Sequence, residues 1–194
     1  MIFNYLPTFA QATVGSIFSF QPRAIIFIDG SNLYHSLRNS FGSARIDFEK
    51  FCTLVGGGKK IMKIYYYTSP VSRLDEPEKY KAQQKFLERI GKIERFEIFL
   101  GRLEKRPSGN RVEKGVDVKL AVNLLVNAFD NKYDEAILVS NDADFVPAIE
   151  EVQRLGKKVL NVSFPKSRSF HLNKVCDDTI DVIESTGFLQ SFRK

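Results

Sequence analysis

The chain has 194 residues, with 29 Lys and Arg against 23 Asp and Glu, a formal charge of +6 and a pI near 9.3. That length supports one well-buried core, and a content of 43% hydrophobic and 27% charged residues argues against both a disordered chain and a bilayer-spanning one. The basic balance favours a polyanionic partner, because phosphates neutralised by Lys and Arg release their counterions.

Cys52 and Cys176 stand far apart, without the spacing of a zinc site or a disulfide framework, and fit a reducing cytoplasm. Residues 1–22 carry no charged side chain. Ala10-Gln11-Ala12 resembles a signal-peptidase site, but the start is not basic, Pro7 interrupts the apolar run and a core strand follows. The segment is therefore read as an arm or tail, with a homodimer contact as one of its uses. Residues 23–186 are read as one domain and 187–194 as a C-terminal tail.

Ala24 to Ile28 is a continuous β-branched and aromatic run, the pattern of a strand covered on both faces of a parallel sheet. It stops at Asp29-Gly30, and Leu33, Tyr34 and Leu37 then keep helical spacing up to Phe41-Gly42. Lys63 to Tyr67 is a second strand, its three tyrosines read as core rather than as base-stacking groups. A helix through Tyr80, Phe86, Leu87 and Ile90 and a strand over Phe96 to Leu100 follow.

Gly101 to Gly115 is turn-rich and basic, an exposed loop or short hairpin carrying Arg102, Lys105, Arg106, Arg111 and Lys114. Val118 to Phe129 returns to helical period, Ala136 to Ser140 is another buried strand, and a helix is expected from about Asp144 to Leu155. Lys158 to Ser163 makes a further strand. The rest reads as a basic connection and a short closing element near Thr179 to Ile183. Strands alternating with helices give an α/β fold with a parallel sheet, which binds ligands at the carboxyl ends of its strands near a switch in strand order.

The informative acids are those directly after strands. Asp29 follows the first, Asp142 and Asp144 follow the strand ending at Ser140, and Asp117 opens the helix after the basic loop. Two carboxylates about 4 Å apart repel by roughly 4 kcal/mol at an effective dielectric near 20, so such a cluster calls for protons or cations. Hard oxygen ligands suit Mg²⁺ or Mn²⁺, which can activate water and offset the charge that builds on a phosphodiester. The bland alternative is that Asp29 and Asp144 cap helices and Asp117 answers a helix dipole.

Asn32, Ser31 and Ser140 are candidate substrate-side groups at the same edge, and the five basic residues of the loop are candidate phosphate contacts. Lys157, Lys158, Lys166, Arg168 and Lys174 form a second basic cluster that extends the track. His35 and His171 lack a partner pattern and are read as structural or surface residues.

Ile26 to Leu33, Lys114 to Asp117 and Leu138 to Phe145 together resemble the three motifs of NYN domains in the LabA-like branch, within the PIN-like nucleases. The resemblance spans about Arg23 to Ile183, and Leu172 to Asp177 is similar to the family's closing motif. It implies a PIN-like three-layer fold, a mostly parallel sheet flanked by helices. It further implies Mg²⁺- or Mn²⁺-dependent cleavage of RNA; DNA stays open as a substrate, and the composition itself speaks against a membrane partner. Asp29, Asp117, Asp142 and Asp144 occupy the acidic positions and Asn32 the motif Asn.

Two departures stand out: Asn123 where many relatives have a second helix Asp, and Asn141 where they have Gly. The competing reading is an RNA-binding or regulatory protein of the same fold that cleaves weakly or not at all. A phosphatase of the haloacid-dehalogenase kind ranks below both, because Asp29-Gly30-Ser31 lacks the second Asp used there as acid and base. An adhesion-type Asp-x-Ser-x-Ser site is excluded by Leu33.

Overall fold

The computed structural model describes residues 21–105 and 111–183. The uncharged arm through residue 20, Arg106 and the C-terminal tail lie outside the described residues.

The chain opens with β1 (Arg23–Asp29), whose residues Ala24 to Ile28 are each at most 2% exposed. It continues through α1 (Gly30–Phe41), α2 (Phe48–Gly56), β2 (Lys60–Thr68), α3 (Pro77–Ile90) and β3 (Phe96–Leu100). A two-stranded antiparallel hairpin follows, β4 (Arg102–Lys105) with β5 (Arg111–Lys114), so the basic stretch takes the hairpin form of the two expected. Then come α4 (Val116–Phe129), β6 (Glu135–Val139), a single 3-10 turn (Ala143–Phe145), α5 (Val146–Arg154), β7 (Lys158–Ser163), α6 (Phe170–Val175) and β8 (Asp178–Asp181).

Six strands form one sheet in the order β3-β2-β1-β6-β7-β8, and every pairing in it is parallel. Because strand side chains alternate, the sheet feeds two cores. Ala24, Ile26, Ile28, Ile137 and Val139 pack with Leu33 and Leu37 of α1, Phe51 and Val55 of α2 and Ile90 of α3. Ile25, Phe27, Ala136 and Leu138 pack with Leu120 and Leu124 of α4, Ile149 and Val152 of α5 and Leu172 of α6. The result is the three-layer, PIN-like α/β fold expected. Tyr65, Tyr66 and Tyr67 are core residues, at most 8% exposed.

Three local features differ from the sequence reading. The helix α2 was not anticipated; Asp47 caps it by accepting from the Lys50 N–H at 3.1 Å, and Phe48, Phe51, Cys52 and Val55 form its buried stripe. The expected helix over 144–155 divides into the 3-10 turn and α5, with Pro147 in the first turn of α5. Part of the basic connection is the short helix α6, capped by Ser169, and the closing element is β8 on the edge of the sheet. No helix among the described residues is long and apolar enough to cross a membrane.

Candidate active site

The fold fixes where a site can form. Strands β1 and β6 are neighbours, yet β1 runs into the helices of one face and β6 into those of the other. The chain therefore diverges at their carboxyl ends and leaves a crevice at this switch point. Asp29 terminates β1 there, and Ser140 to Asp144 leave β6 beside it.

Asp29 is 3% exposed and lies two residues beyond Phe27, so its side chain lies on the α4 face of the sheet. Its Oδ1 accepts from the Asn32 backbone N–H at 3.1 Å and its Oδ2 from the Asn32 side-chain amide at 2.6 Å. The Ser140 hydroxyl donates to Oδ2 at 3.4 Å and accepts from the Asp142 N–H at 3.2 Å. Asp142 Oδ1 accepts from the Asp144 N–H at 2.9 Å. Asn32 Oδ1 in turn accepts from the Asn141 N–H at 3.5 Å, the outer limit of a hydrogen bond.

A continuous polar chain thus ties the first turn of α1 to the loop after β6. Asp29 and Asp142 do serve as caps, for α1 and the 3-10 turn. Asp144 does not: the cap position of α5 is Phe145, and that helix start has no side-chain cap bond.

Asp117 comes from a third direction. Gly115, at φ +85°, turns the chain out of β5 into α4 and leaves the helix start without a side-chain cap, so Asp117 is not a capping group. Its carboxyl is held above the usual Asp range. Partial burial is the largest cause, followed by the negative charges of Asp29, Asp142, Asp144 and Glu113. Asp117 thus lies within electrostatic reach of all three other acids singled out from the sequence. Asp142 is half-buried, while Asp117 and Asp144 are exposed at the rim.

The donor set fits a hard divalent cation: Asp carboxylates backed by the oxygens of Asn32 and Ser140, with no histidine or cysteine in the hydrogen-bond chain. Among the described residues no group of three or more His, Cys, Asp or Glu is placed to hold a metal ion by itself. Mg²⁺ is in general held through one or two carboxylates and keeps water and substrate phosphate for its other positions.

Arg102 and Lys114 face each other in the hairpin register, and both line a cleft of about 380 Å³ that includes Gly115 and Val116, just before Asp117. Lys119 joins them, its ammonium 5.1 Å from the centre of the Phe99 ring. Sequence reasoning passed over Lys119 because a basic residue in a helix's first turns reads as solvated decoration; its spacing two residues after Asp117 was the available signal. Lys105 is exposed opposite Arg111, at the other end of the hairpin register, and Ser31 is exposed at the start of α1.

The second basic cluster does not form one track. Lys157 and Lys158 sit at the amino end of β7, where Lys157 approaches Asp134 at 4.0 Å, and Arg168 pairs with Asp181. Asn161 was also missed. It is 1% exposed on β7, and its amide donates to the Ser140 carbonyl at 2.7 Å and to that of Leu138 at 3.3 Å, steadying the strand end that delivers Ser140.

Asn123 turns its amide to the Tyr67 hydroxyl at 2.9 Å. Asn141, the other departure, donates from its side chain to the Ser167 carbonyl at 3.3 Å, which brings the loop after β7 against the site.

Residues 23–184 match the family described as NYN domain. The low amplitude and bright protein LabA of Synechococcus elongatus is 25% identical over 177 residues, 89% of this chain and 90% of that protein. An uncharacterized protein of Methanocaldococcus jannaschii is 35% identical over 69 residues, 36% of this chain and 29% of that protein. The solved structure of a protein of unknown function from Vibrio parahaemolyticus aligns with a TM-score of 0.65 at 24% identity, covering 84% of this chain and 94% of that one, a likeness of fold.

Proposed function

We propose, on the premise that this chain belongs to the NYN domain family and to its LabA-like branch, that it is a Mg²⁺- or Mn²⁺-dependent ribonuclease. The family is nuclease-like. The observation that carries the finer reading is the hydrogen-bond chain that ties Asp29, Ser140 and Asp142 together at the carboxyl ends of β1 and β6, with Asp117 within electrostatic reach from a different segment of the chain. Asp29, Asp142 and Asp144 are close enough to act on the Asp117 charge, and like charges so placed favour a bound cation or a proton.

In this reading Asp29 and Asp142 hold the cation, with Asp117 and Asp144 completing the negative surround. When bound, it would activate water and offset the charge that builds at phosphorus. Asn32 and Ser140 orient the Asp29 carboxylate through their hydrogen bonds. Arg102, Lys114 and Lys119 hold the flanking phosphates from the cleft beside Asp117.

One observation favours a second reading, an RNA-binding protein that does not cleave. Asn123 stands where many relatives carry an acid, and its amide is engaged with Tyr67 rather than offered to the cluster. Highly purified protein, incubated with labelled single-stranded and structured RNA in Mg²⁺, Mn²⁺ or EDTA, separates the two. The nuclease reading expects cleavage in metal, none in EDTA, and loss of cleavage in Asp29→Asn and Asp142→Asn with the fold retained. RNA bound but uncut in both metals supports the second reading, and undiminished cleavage by both variants refutes the residue assignments.

A further inference from the structure

A cavity of about 760 Å³ lies on the α1–α3 face, between α1, α3 and the connection from Gly42 to Ile46. Gly30, Ser31 and Ser69 line it from the carboxyl ends of β1 and β2, so it reaches the sheet edge at which the acids gather. Glu113 of β5 also lines it, and is one of the charges that raise the Asp117 carboxyl. The cavity and the acidic cluster are therefore electrostatic neighbours.

Its chemistry is two-sided. The interior is apolar and aromatic, with Phe48, Tyr66 and Phe86 among its walls, and Tyr34 stands in it 49% exposed. Four cationic side chains line it, Arg38, Arg45, Lys79 and Arg89, of which Lys79 is paired with Glu76, together with the carboxylate of Glu113. Two of them lie over aromatic rings: the Arg38 guanidinium is 6.0 Å from the centre of Tyr34, and that of Arg89 is 5.9 Å from Phe86.

We propose that this cavity is a nucleotide subsite, taking one unstacked base of a bound RNA together with its phosphate. The exposed Tyr34 ring matches a base, and the cations match a phosphate far better than they match a neutral apolar ligand. The volume falls within the roughly 300–1,000 Å³ of small-molecule sites. A base can enter only when it is splayed out of its stack, so the nucleotide held here is unpaired. That this nucleotide belongs to an RNA substrate rests on the ribonuclease reading; that the cavity binds nucleotides does not.

The test titrates the four nucleoside 5′-monophosphates, with inorganic phosphate as control, into the full chain in EDTA, followed by calorimetry and by NMR. Saturable binding of at least one monophosphate, weakened about fivefold or more in Tyr34→Ala and in Arg38→Ala, is expected, the low end of the loss for one base–aromatic stack. Tyr34 and Arg38 are exposed, so both variants retain the wild-type melting temperature. In the cleavage assay they raise KM for RNA more than they lower kcat. No monophosphate binding, or equal binding by wild type and both variants, overturns the subsite even where cleavage persists. Absence of cleavage with the binding pattern intact overturns the ribonuclease reading and leaves the subsite standing.

Discussion

Replacing Asn32 by Ala removes one side chain that touches two parts of the site. The backbone N–H of residue 32 still reaches Asp29 Oδ1, so the cap of α1 survives. What disappears is the side-chain donor to Asp29 Oδ2 at 2.6 Å and the acceptor for the Asn141 N–H at 3.5 Å. The second contact is at the limit of hydrogen bonding and contributes little. The first is charge-assisted, and a hydrogen bond to a charged group contributes about 1.5–3 kcal/mol.

For a protein of this size, about 2–4 °C of melting temperature corresponds to 1 kcal/mol, so the metal-free variant should melt roughly 3–12 °C below wild type. Loss of a group that orients a metal ligand costs about 10- to 100-fold in metal affinity or activity, so the Mn²⁺ concentration for half-maximal cleavage should rise by that factor. Asn32→Asp sharpens the contrast. A carboxylate at that 2.6 Å contact meets Asp29 with a repulsion of roughly 6 kcal/mol at an effective dielectric near 20, an upper figure that protonation would relieve. It should be the less stable variant in EDTA and the one that Mn²⁺ stabilises more. Thermal unfolding with and without Mn²⁺, and cleavage against Mn²⁺ concentration, read both effects. An Asn32→Ala protein that melts with wild type and keeps its Mn²⁺ requirement would refute the reasoning.

Other perturbations probe the surroundings. Because the Asp117 carboxyl titrates above its unfolded range near 3.8, the folded state binds more protons in that window and metal-free stability falls as pH rises through it. Asp117→Asn should therefore melt above wild type in EDTA at neutral pH, with the difference shrinking on acidification through that range; a pH-independent difference would contradict this origin. A Cβ added at Gly30 would lie 2.5 Å from the Tyr66 hydroxyl and 2.9 Å from the Tyr67 carbonyl, so Gly30→Ala should lose about 1–3 kcal/mol in urea unfolding. Asn161→Ala leaves the buried Ser140 end of β6 without its brace and should cost about 1–3 kcal/mol, with reduced cleavage. Lys114→Ala should flatten the dependence of single-stranded RNA binding on salt, by about 0.7 in log–log slope if Lys114 contacts one phosphate.

The strands were legible because a strand covered on both faces must be continuously apolar, as Ala24 to Ile28 and Ala136 to Val139 are. The acids were legible because the ends of such strands are where the chain leaves the sheet. Less legible were elements with few residues to show a period. The nine residues of α2 lie just before a glycine run, and α6 has six residues with only Leu172 fully buried, although Asp47 and Ser169 mark both starts as caps.

The long-range partners were invisible for a different reason. Asn161 reaches Ser140 across 21 positions and Asn123 reaches Tyr67 across 56, and neither pairing leaves a local pattern. The division of the basic residues had the same cause: Arg102 and Lys119 come together through the fold, whereas Lys157 and Lys158 are carried to the amino end of β7.

The central claim is that acids from three segments share one cation. Crystals soaked in Mn²⁺ and measured at a wavelength where manganese scatters anomalously address it directly. A peak is expected at the crevice between β1 and β6, with Asp29 and Asp142 among the manganese ligands. A manganese peak elsewhere on the molecule, or none at a concentration that supports cleavage, would contradict it.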